Sequence, residues 1–314
     1  MWSKVSSIVG VNDGARRLRV KGREINLDSP LIVGVVNATP DSFSDRGDRS
    51  TSGSIDLVRE HLENGADLIE VGGESNVTNR PAVEAREELE RVLPVIEAAV
   101  AGGATVSVDT YKPEVAERAL EAGAAIVNDI SGSGSDEMLA VCARHGAGIV
   151  VMHTEVAPKN QVWEEDLYRD GVGPRLVEFF GQRLESLADA GIESDQVILD
   201  PGPDFAKTPR QTVDAVRAIP EVIAEFGRPV MLAVSRKDFV GAITGRRPSE
   251  RGAGTFGALA VGLDLGANIL RVHDVRGTAD FLAVRAALTG RSEVDPGLRI
   301  DEAIRREPPG GSNG

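Results

Sequence analysis

One pattern recurs eight times along this chain: a short apolar run ends in a polar or glycine residue, and a helical stretch follows. The runs are Leu31–Asn37, Asp67–Gly73, Thr105–Thr110, Ile126–Ser131, Gly148–His153, Val197–Gly202, Val230–Ser235 and Ile269–Asp274. They are rich in β-branched residues and nearly continuous in hydrophobicity, as parallel strands covered on both faces require. Helices are expected between them at Ile55–Asn64, Ala85–Ala101, Pro113–Ala122, Asp136–His145, Val177–Ala190, Thr212–Phe226 and Gly254–Leu265. Gly65, Gly102, Gly123, Gly146, Gly191 and Gly266 stand where such helices should stop. Eight alternating β and α units close most stably as a (β/α)8 barrel, the TIM-barrel architecture of the α/β class. A doubly wound open sheet is the competing arrangement; the count of eight and the absence of G-x-G-x-x-G after the first run weigh against it.

The chain has 314 residues, against roughly 250 for such a barrel, so it has room for extensions. Arg17–Leu27 alternates about a turn at Gly22 and reads as a β-hairpin closing the barrel bottom. Three segments are expected: an extension with hairpin over 1–30, a barrel over 31–295 and a partly disordered tail over 296–314, richest in Pro and Gly from Glu307. The net charge of −14 argues against nucleic-acid partners and anionic membranes. The lone Cys142 excludes an intramolecular disulfide and reads as a buried structural thiol. Residues 1–16 carry no apolar leader core, and no run is long enough to span a membrane, so the cytoplasm is the expected location.

In a barrel of this kind the carboxyl ends of the strands carry the active site. Here those ends supply Asn37, Glu74, Asp109, Asn128, His153, Asp200, Ser235 with Arg236 and Lys237, and Arg271 with His273 and Asp274. Polar groups on all eight strand ends, with both charge signs among them, point to a site rather than to stability. Asp109, Asn128 and Asp200 suit a flat heterocycle with several N–H donors; a metal on the two carboxylates is the other reading. Arg271 and His273 lie two apart on one strand and, with Lys237, form a cationic side suited to phosphate; a salt bridge of Arg271 to Asp274 or Asp109 is the plainer alternative. Asn37 could lend an oxygen to a Mg2+ held mainly by phosphates. The polar loop 38–47, with Asp41, Ser42 and Asp45, reads equally as a lid or as ordinary surface.

These segments resemble the dihydropteroate synthase family. The resemblance rests on Asn37-Ala-Thr-Pro-Asp-Ser-Phe-Ser-Asp45, Gly72-Gly-Glu-Ser75, Ser107-Val-Asp-Thr110, Asn128-Asp-Ile-Ser-Gly132, Met152-His153, Asp200-Pro-Gly202 with Phe205 and Lys207, Ser235-Arg-Lys237 and Arg271-Val-His-Asp274. The motifs keep the family's order over roughly residues 20–290. Pterin-binding methyltransferases share some of them, but Ser-Arg-Lys and Arg-Val-His favour the synthase. The resemblance implies that the chain joins 6-hydroxymethyl-7,8-dihydropterin diphosphate to 4-aminobenzoate with release of pyrophosphate, a step of folate biosynthesis. It implies pterin binding by Asp109, Asn128, Asp200 and Lys237, and pyrophosphate with Mg2+ on Arg271, His273 and Asn37. It also implies an aminobenzoate side at Phe205, Lys237 and Asp238, and a homodimer.

Three departures stand where the second substrate and the lid should act. After Gly-Gly-Glu-Ser the family usually continues Thr-Arg-Pro-Gly; here it is Asn76-Val77-Thr78-Asn79, with Arg80 three positions late. The residue after Ser-Arg-Lys, often Ser, is Asp238; facing a substrate carboxylate it would be repulsive by roughly 1–4 kcal/mol. The loop after strand six has Asp204 where Gly is common before Phe. Two further readings follow: a paralogue that binds pterin without normal synthase turnover or with another nucleophile, and a methyltransferase working with a corrinoid partner.

Overall fold

The structure is a computed structural model that describes residues 16–39, 51–75, 81–160 and 165–306. Eight parallel strands form one sheet: β3 (Leu31–Asn37), β4 (Leu68–Gly72), β5 (Thr105–Asp109), β6 (Ile126–Asp129), β7 (Gly148–Met152), β8 (Val197–Asp200), β9 (Met231–Leu232) and β10 (Ile269–Val272). β3 through β8 pair in chain order, and β10 lies between β3 and β9. A parallel bridge from Leu199 to Val230 joins the two edges, with Leu199 N–H donating to Pro229 O at 2.9 Å. The sheet is therefore closed, and every apolar run expected to be a strand is one.

Strand parity divides the barrel into an outer and an inner face. Outward residues such as Ile69, Val71, Val106, Val108, Val127, Ile149, Val151 and Leu199 are buried under the helices and form the main core. Each such aliphatic contributes about 1.5–3 kcal/mol on burial. Inward residues at the amino ends, Leu31, Val33, Leu68, Ile126, Val150, Ile198, Met231 and Ile269, form a separate apolar plug. Leu18, Val20 and Leu27 of the hairpin complete that plug from below. The hairpin pairs β1 (Arg17–Val20) with β2 (Arg23–Asn26) through Lys21 and Gly22, at φ 46° and 75°. Both values are left-handed, as the tightest hairpin turn demands, and the second falls on glycine. Arg19 ties the hairpin to the barrel by two 2.8 Å bonds to Asp195.

The helices are α1 (Thr51–Glu63), α2 (Ala85–Ala101), α3 (Pro113–Glu121), α4 (Asp136–His145), α5 (Val172–Asp189), α6 (Pro209–Arg217), α7 (Ile219–Phe226), α8 (Asp238–Thr244), α9 (Gly252–Asp264) and α10 (Val275–Leu288). Three differences from the sequence pattern have physical causes. The single helix expected over Thr212–Phe226 divides at Ala218, because Pro220 has no N–H to donate and its ring crowds the carbonyl four residues back. The short α8 and the weakly amphipathic α10 left no periodic signal. Gly102 remains right-handed at φ −75°, and Gly103 turns the chain instead at φ 86°. Cys142 is buried in α4, where desolvation pushes its thiol up to about 12, as befits a structural residue. Among the described residues no helix is long and apolar enough to cross a membrane. The final eight residues, 307–314, lie outside the described residues.

Candidate active site

Above the apolar plug the interior turns polar. Strand register sets Glu70 beside Ser107, Asp109 beside Asn128 and Gly72, and Met152 beside Asp200. All of these point inward. Arg271 enters from β10: its Nε donates to Glu70, and its terminal nitrogen donates to Asp109 Oδ2 at 2.9 Å. Asn128 Nδ2 donates to the second oxygen of Glu70 at 3.0 Å. Burial works against the Arg271 charge, but Glu70 and Asp109 outweigh it and hold the guanidinium firmly protonated. The plainer sequence alternative, a salt bridge from Arg271 to Asp109, is thus present, within a triad the sequence did not suggest.

Glu70 was missed. It is completely buried, and its signal was a lone carboxylate inside the apolar run Leu68–Gly72. Ser107 was missed as a site residue as well. Ser107 Oγ and Asn128 Oδ1 are both buried without a protein partner, the usual mark of groups reserved for a ligand. Asp200 is 3 % exposed and accepts from Gly202 N–H at 2.8 Å; burial raises its pKa. At Gly202, left-handed at φ 63°, a side chain would collide with His153 O, so the Asp-Pro-Gly turn tolerates only glycine there.

The cationic side gathers at the ends of β9 and β10. Lys237 Nζ donates to Pro203 O at 3.0 Å and lies 4.3 Å from the centre of the Phe205 ring. Burial lowers its pKa. His273 is held by Ser235 Oγ, 3.0 Å from Nδ1. Crowding by surrounding protein, then Arg271, Arg236 and Lys237, keep its pKa well below the ordinary value. It is a neutral hydrogen-bonding group at neutral pH. Asn37 closes the ring from β3: its Oδ1 and Asp109 Oδ2 lie 3.7 and 3.8 Å from where a side chain on Gly72 would begin. Asn37 Oδ1 is a hard oxygen of the kind that fits a Mg2+ held mainly by phosphates, while Asp109 Oδ2 is taken by Arg271. Among the described residues no cluster of three His, Cys, Asp or Glu could hold a metal alone.

Three polar residues expected at the mouth serve elsewhere. His153 follows the inward Met152 and so points outward, fully buried against Phe179 at 4.8 Å between ring centres. Its Nδ1 lies 2.8 Å from Lys207 Nζ and its Nε2 3.1 Å from Glu155. Burial, then the Lys207 charge, brings its pKa down to about 4; burial brings Lys207 down to about 7. Lys207 Nζ also donates to the carbonyls of Gly202 and Phe205 at 3.0 and 3.2 Å, pinning that loop from behind. Asp274 caps α10 through Gly277 N–H at 2.9 Å. Asp238, expected on the aminobenzoate side, has an 88 % exposed side chain that takes a 2.8 Å bond from Arg251. As the first residue of α8 it points out to solvent, and the Arg251 that also braces Arg236 O draws it off.

Glu74 binds Lys112 and Lys159, at 2.5 and 2.9 Å, and Tyr111. Burial alone would raise its pKa, but the two ammonium groups outweigh burial and hold it below the carboxylate range. Asp41, Ser42, Asp45 and Arg80, the expected lid residues, lie outside the described residues, as do Asn76 and Val77.

Comparison with known proteins gives the family and the fold. The profile of the family described as pterin binding enzyme matches residues 33–273. The dihydropteroate synthase of Neisseria meningitidis serogroup C is 38% identical over 280 residues, covering 87% of this chain and 98% of that one. The Xanthomonas albilineans dihydropteroate synthase, solved with 4-aminobenzoic acid, superposes with a TM-score of 0.80 at 37% identity, over 88% of this chain and 98% of its own. A structure of the same enzyme with 7,8-dihydropteroate gives a TM-score of 0.76 at 37% identity, over 87% and 98%.

Proposed function

This chain belongs to the dihydropteroate synthases, transferases of the pterin binding enzyme family, and from that premise we propose how its own residues act. The reaction condenses 6-hydroxymethyl-7,8-dihydropterin diphosphate with 4-aminobenzoate to 7,8-dihydropteroate and diphosphate, in folate biosynthesis. The observation that carries the reading is the pair of partnerless buried groups, Asn128 Oδ1 and Ser107 Oγ, Asn128 beside Asp109 and Ser107 beside Glu70. A heterocycle with several N–H groups satisfies them; an apolar or purely anionic ligand does not.

Asp109, Asn128, Asp200 and Lys237 hold the pterin. When the C–O bond to diphosphate breaks, positive charge develops at the pterin methylene, and fixed carboxylates such as Asp109 stabilise it without reorganising. Arg271 takes the departing diphosphate as a charge, and neutral His273 takes it as a hydrogen-bond donor. Asn37 would share in holding Mg2+, whose chemistry is to neutralise the leaving group. The aromatic amine lies along Phe205 and Lys237, where placement more than activation decides the rate of C–N bond formation.

The decisive experiment is a coupled pyrophosphate-release assay with the purified chain. Release is expected only with both substrates present, together with rescue of a strain lacking its own synthase. Release that ignores aminobenzoate would refute the assignment and point to another nucleophile. Two further features belong to the same proposal. Val261 on α9 with Val284 and Leu288 on α10 are 51%, 60% and 83% exposed, an apolar surface suited to a second copy in a homodimer. A charge at Val284 should yield monomers in sedimentation. The cytoplasm suits a chain whose only thiol is unpaired.

A further inference from the structure

We infer that Asp204 sets the charge preference of the amine subsite, disfavouring a nucleophile that carries a carboxylate relative to an uncharged arylamine of the same shape; this deepens the synthase reading and rests on it. Asp204 immediately precedes Phe205, on the loop whose Pro203 carbonyl receives Lys237. Its backbone is left-handed at φ 64°, and Ala206 follows suit at 48°. Neither residue is glycine, so the loop holds an unfavourable conformation that its contacts must sustain.

Those contacts fix the carboxylate. Oδ2 accepts from Asp238 N–H at 2.5 Å, and both oxygens accept from Phe239 N–H at 3.3 Å. Thr212 donates its hydroxyl to Oδ1 at 3.2 Å and accepts from the Asp204 N–H at 3.0 Å. The charge is thus immobile, one residue from the ring that lines the amine side. Of the carboxylates acting on Lys237, Asp204 acts most strongly, ahead of Asp200 and Asp109. Lys237, whose ammonium donates to the carbonyl just before Asp204, thus shares its surroundings with a fixed carboxylate of the protein. Arg236 supplies positive charge on the same turn, but its carbonyl and Asp238 are both bound by Arg251, which orders that turn around the acidic pair. A substrate carboxylate entering beside Phe205 meets a fixed like charge on the neighbouring residue, enough to weaken binding about tenfold at intermediate dielectric.

The test reads binding and turnover separately. Calorimetry on the full chain, in the presence of a dihydropterin and pyrophosphate, gives Kd for 4-aminobenzoate and for 4-aminobenzamide. In Asp204→Asn the ratio of the two constants should shift about tenfold in favour of the acid. Asparagine keeps the acceptor for Asp238 and Phe239 and tolerates the left-handed backbone, so the loop is retained. Asp204→Gly, which relieves the backbone and removes the charge together, should shift the ratio in the same direction. High salt should narrow the preference in the unmodified chain and not in the variants. A ratio unchanged within about twofold in both variants, or no binding of either amine to any of the proteins, overturns the inference. Pyrophosphate release is scored independently: absent release with a shifted ratio refutes the synthase reading and leaves the role of Asp204 standing.

Discussion

The strand-built flank of the mouth, proposed for the pterin and its diphosphate, and the loop-built flank, proposed for the amine, arise by different means. Glu70, Asp109, Asn128, Asp200 and Arg271 stand on hydrogen-bonded strands, and register alone sets them face to face. Phe205, Asp204 and Lys237 stand on turns, held by Lys207 from behind, by left-handed backbone and by side-chain caps. A strand-built flank resists change in geometry but exacts a large penalty when its charge balance is broken. A loop-built flank tolerates substitution, and Asp204 and Asp238 stand there.

The largest test of this contrast is Arg271→Met. It strands the buried Glu70 and Asp109, and loss of one partner of such a buried pair costs about 3–5 kcal/mol. Urea unfolding should show that loss, and the remaining folded protein should have no measurable turnover. A change below about 1 kcal/mol would mean that the triad is not tightly coupled.

The brace behind the amine flank is next. His153, lowered to about 4, binds its proton in the unfolded chain but not in the folded one between that value and the ordinary 6.5. Stability therefore falls as pH drops through that window, by about 3 kcal/mol for a shift of this size. His153→Gln should flatten the fall relative to the unmodified chain when unfolding is followed from pH 7 to 4. Equal slopes would locate the acid sensitivity elsewhere.

Phe205→Ala removes the ring under Lys237. We expect KM for aminobenzoate to rise about tenfold, the value of one cation–aromatic contact with its buried area, while pterin affinity by calorimetry stays within twofold. Parallel loss of both would mean that the two flanks are one unit. The smallest effect belongs to Asp238→Ser, within about 0.5 kcal/mol in stability and without change in aminobenzoate KM, because the side chain is solvated and its pair with Arg251 is exposed. A large gain in aminobenzoate use would show that Asp238 turns inward during catalysis.

Legibility followed the same division. The strand-borne residues Asp109, Asn128, Asp200 and Arg271 were readable because parity and the carboxyl-end rule act on sequence directly. His153 obeys the same parity yet lies one residue past an inward position, so its polarity resembles that of a site residue while it serves the outer aromatic cluster. Glu70 was hidden by its neighbours: within an apolar run a single carboxylate reads as noise until its two partners, 58 and 201 residues away, are brought to it. Asp204 and Asp238 looked alike as added negative charge, but one is fixed by the start of α8 and the other is drawn off by Arg251.

What the sequence by itself determined is the closed alternation of strand and helix, the hairpin before it, the polar carboxyl ends of the strands, and the chemical character of the mouth they form. Periodicity and residue type are local properties, and they suffice for this. Only the tertiary structure decided which charges meet: Arg271 with Glu70 and Asp109, Lys207 with His153, Asp204 with the backbone of Asp238 and Phe239. Those pairings depend on distances of a few ångströms between residues far apart in the chain, and Coulomb and hydrogen-bond energies are decided at that scale.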